Sequence, residues 1–178
     1  MKEIEVKYQL EDRNKFLKKL EALGCEISEV NHQKDTIYVS DVNHIENTPG
    51  SIFLRVRKDN DKIELNAKKH EKVMQARTEV EFGVSSYSDA NKFLELIGFQ
   101  KWVEVSKKRV HTFYKDCNIC IDEVDTLGSF VELEYVVDDK EEEEKVLEKI
   151  EKIAKEIGID TKRVVNQYYD EMIAERNH

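Results

Sequence analysis

With one proline and six glycines among 178 residues, the chain has no room for a disordered tract. No apolar run approaches membrane-spanning length and no signal-peptide apolar region opens the sequence, so no membrane is expected and the cytoplasm is the expected location. Three cysteines, an odd number, complete no disulfide framework, in keeping with a reducing compartment. Cys117 and Cys120 form a C-x-x-C, but the second pair of a zinc ribbon is missing, and residues three apart on a strand face opposite sides. They read as structural thiols. The five histidines lack the H-x-x-x-H helical spacing of zinc enzymes. No clear repeat with a period of about 20 to 50 residues is present, which argues against a solenoid or propeller. Nor is positive charge in excess. The formal net charge of -9 argues against a general nucleic-acid binder, whose affinity rests on a basic surface. A small anion held by a few cations in a concave site stays compatible with it.

Hydrophobic residues make up 39% of the chain and charged residues 38%, and the length suits one well-buried core, so a single domain over residues 1–178 is expected. Three amphipathic helices are legible. Asp12 is placed to cap the first, with Phe16, Leu17, Leu20 and Leu23 on one stripe and Gly24 at its end. The second follows Ser86 or Ser88 and closes at Gly98. The third starts near Asp138 or Asp139, with Val146, Leu147, Ile150, Ile153 and Ile157 inward and glutamates in its first turn, where they suit the helix dipole. Elsewhere the period is two, and strands are expected at 2–9, 27–40, 51–58, 62–69, 75–84, 101–114, 118–124 and 129–137. Asp59-Asn60-Asp61 reads as a hairpin turn and Thr48-Pro49-Gly50 as a loop. The fold class is α+β with a large, mostly antiparallel sheet.

One face of these strands is charged again and again. Glu3, Glu5 and Lys7 oppose Ile4 and Val6; Arg55 and Arg57 oppose Leu54 and Val56; Lys68 shares a face with Asn66 and Glu64. Arg77, Glu79 and Glu81 fall together, as do Lys107, Arg109 and His111, then Cys120 and Asp122, then Glu132 and Glu134. Two architectures explain the pattern. An open sheet packs its apolar face on the helices and wets the other. A barrel turns the charged faces inward, which is tolerable only if water, metal ions and a charged ligand fill the interior.

Glu3-x-Glu5-x-Lys7, the segment NHQKDTIY at 31–38, Arg55-x-Arg57, Lys68 in LNAK, Arg77-x-Glu79-x-Glu81, Lys107-x-Arg109 and IDEVDTLGSFVELE at 121–134 occur in one order along nearly the whole chain. Together they resemble the CYTH, or triphosphate tunnel metalloenzyme, superfamily. The wording of NHQKDTIY and DEVDTLGSFVELE is most similar to the class IV adenylyl cyclase branch, whose relatives include thiamine triphosphatases and inorganic triphosphatases. The resemblance implies a closed antiparallel eight-stranded β-barrel, the triphosphate tunnel, with helices packed outside. It implies Glu3, Glu5, Glu132 and Glu134 as ligands of Mg²⁺ or Mn²⁺, with Asp122 a further candidate. Lys7, Arg55, Arg57, Lys68, Arg77, Lys107 and Arg109 match the positions that hold phosphate oxygens. Arginine's fork suits bidentate phosphate contact, lysine adds a point charge, and hard cations take carboxylate oxygens, so the residue types agree with the chemistry.

The implied activity is conversion of ATP to 3′,5′-cyclic AMP and pyrophosphate. The alternative is a triphosphatase acting on tripolyphosphate, thiamine triphosphate or a nucleoside triphosphate, and a non-catalytic polyphosphate or nucleotide binder is a third reading. Two acidic pairs on separate strands speak against the third, since binding alone could dispense with them. A homodimer is common among relatives and is expected on that ground only. His111, though it shares the charged face, reads as structural. The chain departs from the pattern at Lys69, where relatives often carry glycine, and at Gln167-Tyr168, where they often carry Ser-Tyr.

Overall fold

Each of the eight stretches of alternating sequence contains a strand in the computed structural model, which describes residues 2–45, 50–70, 76–138 and 141–177. They are β1 (Lys2–Gln9), β2 (Asn31–Val39), β3 (Ile52–Asp59), β4 (Lys62–His70), β5 (Ala76–Gly83), β6 (Gln100–Tyr114), β7 (Cys117–Val124) and β8 (Gly128–Val137). β2 begins four residues later than its alternation suggests: before Asn31 the Ser28 amide bonds the His111 carbonyl, while the other bonds across run through side chains, from the His111 amide to the Ser28 hydroxyl and from the Thr112 hydroxyl to the Glu26 carbonyl. Asn60, at φ 50°, supplies the left-handed residue of the tight β3–β4 turn. Thr48 and Pro49 of the expected loop lie outside the described residues.

Three helices follow their caps. In α1 (Arg13–Ala22) the Asp12 carboxylate accepts from the Lys15 amide, and in α2 (Tyr87–Leu96) the Ser86 hydroxyl accepts from the Asp89 amide. Gly24 (φ 82°) and Gly98 (φ 97°) hold the positive-φ positions that end them. α3 (Glu143–Glu156) starts later than expected: its N-cap Glu142 makes no side-chain cap bond, and a turn from Asp138 to Glu141 comes first. Three further elements lie outside the expected pattern: a three-residue 3₁₀ helix (Thr161–Arg163), a two-residue strand, β9 (Val164–Val165), and an eight-residue helix, α4 (Tyr169–Arg176).

The strands form one antiparallel sheet in the order β5-β4-β3-β2-β6-β7-β8-β1-β9. The expected closed eight-stranded barrel is corrected in two respects. The sheet has nine strands, and its first and eighth members in that order, β5 and β1, meet over only two pairs among the described residues, Glu3↔Arg77 and Ile4↔Ala76. Farther along the same edge of β1, Lys7 and Tyr8 pair with β9 instead. The wall is thus joined at one end of β1 and patched by the chain's tail at the other, rather than closed along its length.

Helices cover most of the outer face. Phe16 and Leu20 of α1 and Val146, Ile150, Ile153 and Ile157 of α3 pack on Ile4, Tyr8, Ile119, Ile121, Val131 and Leu133 of β1, β7 and β8. Each such fully buried aliphatic side chain contributes about 1.5–3 kcal/mol. Ala90 and Leu94 of α2 sit on Tyr38 and Val56, and the buried Tyr38 hydroxyl donates to Asn91 at 2.8 Å. α4 does the opposite. Tyr169, Met172, Ile173 and Ala174 pack against Val103, Val105, Val124 and Phe130, which share the inner face with the charged residues. Among the described residues no helix is long and apolar enough to cross a membrane.

Candidate active site

Strand parity carries the charged residues to one concavity. A cavity of about 460 Å³ is lined by Glu3, Glu5 and Lys7 of β1, Arg55 and Arg57 of β3, and Lys68 of β4. Glu79 and Glu81 of β5, Lys107 and Arg109 of β6, and Glu132 and Glu134 of β8 complete its charged wall. The structure therefore brings together ten of the twelve positions expected from sequence, all but Asp122 and Arg77: Asp122 is absent from the lining, and the Arg77 side chain lies outside what is described.

Asp122 stands directly behind the cavity, its carboxylate bonded to two of the lining cations, Lys107 and Arg109.

Two carboxylates anchor the basic residues from the walls. Asp35 takes both arms of the Arg57 guanidinium, Nε to Oδ1 and Nη2 to Oδ2, each at 2.7 Å, with Arg55 Nη1 3.9 Å away. Burial would raise the Asp35 carboxyl, but Arg57 and then Arg55 outweigh it and hold the group well below the usual carboxylate range. Asp122, fully buried, accepts from Arg109 Nε at 2.6 Å and Nη2 at 2.5 Å, from Lys107 Nζ at 3.3 Å and from the Tyr169 hydroxyl at 3.0 Å. Arg109 also bonds Glu132, whose other oxygen lies 3.9 Å from Lys7 Nζ. Lys107 is lowered from the ordinary lysine value by burial and then by Arg109.

On the β1, β5 and β8 side, acid outweighs base. Glu5 and Glu134 are direct cross-strand partners, a like-charge pairing that destabilises a sheet when nothing lies between the two groups. Burial and then Glu5 and Glu132 raise the Glu134 carboxyl. Glu3 is raised by burial and by its hydrogen bond with Glu79, whereas for Glu79 burial is outweighed by that hydrogen bond and then by Lys68, at 2.8 Å, and Arg55, at 3.3 Å, which lower it.

These residues fit a hard divalent cation by donor chemistry: crowded, partly desolvated carboxylate oxygens. No group of three or more acidic, histidine or cysteine side chains is already gathered into a metal cage among the described residues.

Apolar and aromatic residues share the lining: Ile37, Phe53, Val105 and Val136, with Tyr168, Tyr169 and Asp170 at the start of α4. Sequence reasoning missed Asp35 and this tyrosine pair as site residues. Asp35 had a signal in its parity, sharing a face with Gln33 and Ile37 of β2; Tyr169 had none, because the short helix that presents it lacks a clear apolar stripe. His111 is exposed and does not line the cavity.

Fold and cavity define a class of α+β protein that carries its charges on the inner face of one curved antiparallel sheet. The chain belongs to the CYTH domain family, which it matches over residues 1–169. A Methanocaldococcus jannaschii protein provisionally named an adenylate cyclase is 26% identical over 172 residues, 97% of this chain and 98% of that one. Among solved structures, a conserved Pyrococcus furiosus protein superposes with a TM-score of 0.82 at 24% identity, covering 95% of this chain and 98% of its own. A Hippeastrum protein, provisionally called an adenylyl cyclase and described as having a dominant triphosphatase activity, superposes with a TM-score of 0.63 at 15% identity, covering 99% and 95%.

Proposed function

We propose that the chain is a single-domain, divalent-metal-dependent enzyme acting on a triphosphate, of the class IV adenylyl cyclase type. The observation that carries the reading is the convergence of Lys7, Arg55, Arg57, Lys68, Lys107 and Arg109 from four strands on one cavity whose opposite side is acidic. Such a ring neutralises a polyanion that one cation could not, and the flanking carboxylates are tolerable when a metal joins them to the phosphates.

In this reading the sheet works as a tunnel. Glu3, Glu5, Glu132 and Glu134 hold Mg²⁺ or Mn²⁺, while Asp122 and Asp35 serve as anchors that aim Arg109, Lys107 and Arg57. The bound metal would spread the charge of the triphosphate and lower the pKa of the attacking ribose hydroxyl. The 3′-oxygen forms a bond to the α-phosphorus, the bond from that phosphorus to the bridging oxygen of the β-phosphate breaks, and pyrophosphate leaves with the electron pair. The arginines and lysines are fixed before the reaction, so they stabilise charge growing on pyrophosphate without reorganising. The apolar lining residues Phe53, Ile37, Val105 and Val136 suit a flat base better than solvent.

One observation favours the second reading, a triphosphatase in which water attacks the terminal phosphorus. Among the described residues no Asn, Gln, Ser or Thr lines the cavity, so none of them offers a side-chain amide or aliphatic hydroxyl to read a base edge, and hydrolysis of a terminal phosphate needs no such reader. The dominant triphosphatase activity described for the Hippeastrum protein agrees with that reading.

The test is incubation of the purified protein with ATP, tripolyphosphate or thiamine triphosphate and either Mg²⁺ or Mn²⁺, with products separated by chromatography. Cyclic AMP with pyrophosphate supports the cyclase. Orthophosphate without cyclic AMP transfers the assignment to the triphosphatase, and no product with any pair refutes both.

A further inference from the structure

Tyr169 is 8% exposed and sits where the last helix meets the inner face of the sheet. Its ring is fixed edge-on by Phe130, with centroids 5.2 Å apart. Two ammonium groups from distant parts of the chain come to it: Lys7 Nζ lies 4.1 Å from the ring centroid and Lys107 Nζ lies 5.1 Å from it. Both lysines are buried. The hydroxyl points elsewhere and donates to Asp122 Oδ2 at 3.0 Å, the carboxylate that also holds Arg109 and Lys107.

We propose that Tyr169 is a positioning residue for the phosphate-holding cations, its ring serving as a platform for Lys7 and Lys107 and its hydroxyl fastening the Asp122 anchor of Arg109. The inference rests on the triphosphate reading above and adds to it the residue that sets the geometry of three cations. Electrostatics explain the arrangement. Lys7, Lys107 and Arg109 crowd around Asp122 and Glu132 in a desolvated cluster, and the negative face of an aromatic ring is attractive to an ammonium that has left water. Burial, then Glu132 and Asp122, push the Tyr169 hydroxyl well above its ordinary value, so it stays protonated and remains a donor.

A ring that merely fills space would place no demand on its electrons. Free tripolyphosphate, without metal and with EDTA present, is titrated calorimetrically into the wild type, Tyr169→Phe, Tyr169→Leu and variants carrying mono-, di- and trifluorinated phenylalanine at position 169. Fluorination drains the ring face while nearly preserving its shape. Tyr169→Phe is expected to bind within about threefold of the wild type, and Tyr169→Leu to lose about tenfold, the scale of a desolvated cation–π contact. Affinity should fall stepwise with fluorination, and thermal melts should stay together across that series. Fluorinated variants that all bind like Tyr169→Phe would reduce the ring to packing and overturn the proposal, even if Tyr169→Leu failed to fold. A wild type that binds tripolyphosphate neither with EDTA nor with Mg²⁺ would instead remove the triphosphate reading and this inference with it, whereas one that binds with Mg²⁺ alone and not with EDTA would overturn this inference only.

Discussion

Replacing Arg57 with alanine separates the cost of an orphaned anchor from the loss of a phosphate ligand. Arg57 supplies both hydrogen bonds of its guanidinium to the buried Asp35, and removing one partner of a buried ion pair costs about 3–5 kcal/mol because a charge is left behind. Arg55 remains 3.9 Å from that carboxylate, so the lower end applies. About 3 kcal/mol lowers the melting temperature of a chain of this size by about 6–12 °C. The pH dependence tests the cause. In the wild type the Asp35 pKa is depressed below 3.8, so its stabilising contribution is complete above that value and is lost as pH falls toward the folded pKa. In Arg57→Ala, burial is opposed less and the pKa rises, so Asp35 takes up a proton sooner on acidification and is relieved. The stability gap between the two proteins, read from urea midpoints, should therefore narrow from pH 7 to pH 4. The double variant Asp35→Asn, Arg57→Ala should be more stable at pH 7 than Arg57→Ala alone. A gap that stays constant with pH, or a double variant less stable than the single one, would refute the reasoning.

Other substitutions probe separate parts of the site. Glu5→Gln and Glu132→Gln should each abolish metal-dependent turnover, by about 10²-fold or more given the loss of a ligand, with unchanged far-ultraviolet circular dichroism; near-normal turnover in either would remove that residue from the metal set. Asp122→Asn should lower stability by about 3 kcal/mol, because Arg109 and Lys107 keep their charges without their main counter-ion; a wild-type urea midpoint would contradict it. Ile173→Ala, at the junction of two apolar clusters, should cost about 2 kcal/mol and raise binding of a hydrophobic dye. If dye binding does not change, α4 does not cover the apolar inner face in solution.

Faces were legible in the sequence and distances were not. The alternation of Glu3, Glu5 and Lys7 against Ile4 and Val6 gave the inner set correctly, since side-chain direction on a strand depends only on parity. The same parity holds Val103 and Val105 with Lys107 and Arg109, yet nothing local explains apolar residues there until α4 arrives to cover them. α4 itself is too short and too mixed in polarity to announce its buried side. Nor does periodicity distinguish a carboxylate meant for a metal from one meant for an arginine. Asp122 and Glu132 look alike as neighbours on a charged face, but Asp122 has both oxygens bound by cations and stands behind the cavity wall. That difference arises from register, which pairs Asp122 with Arg109 across β6 and β7.

The neighbours of β1 are β8, β5 and β9, all of them made later by the ribosome than β1 itself. Glu3, Glu5 and Lys7 therefore leave the exit tunnel before any of these partners, the earliest of which is β5 (Ala76–Gly83). Until then β1 is an unhoused strand with Ile4, Val6 and Tyr8 on one side, a shape that invites pairing with another nascent chain. Two glutamates and a lysine on the opposite side discourage that pairing. The charges that serve the finished cavity thus also act earlier, as gatekeepers during synthesis.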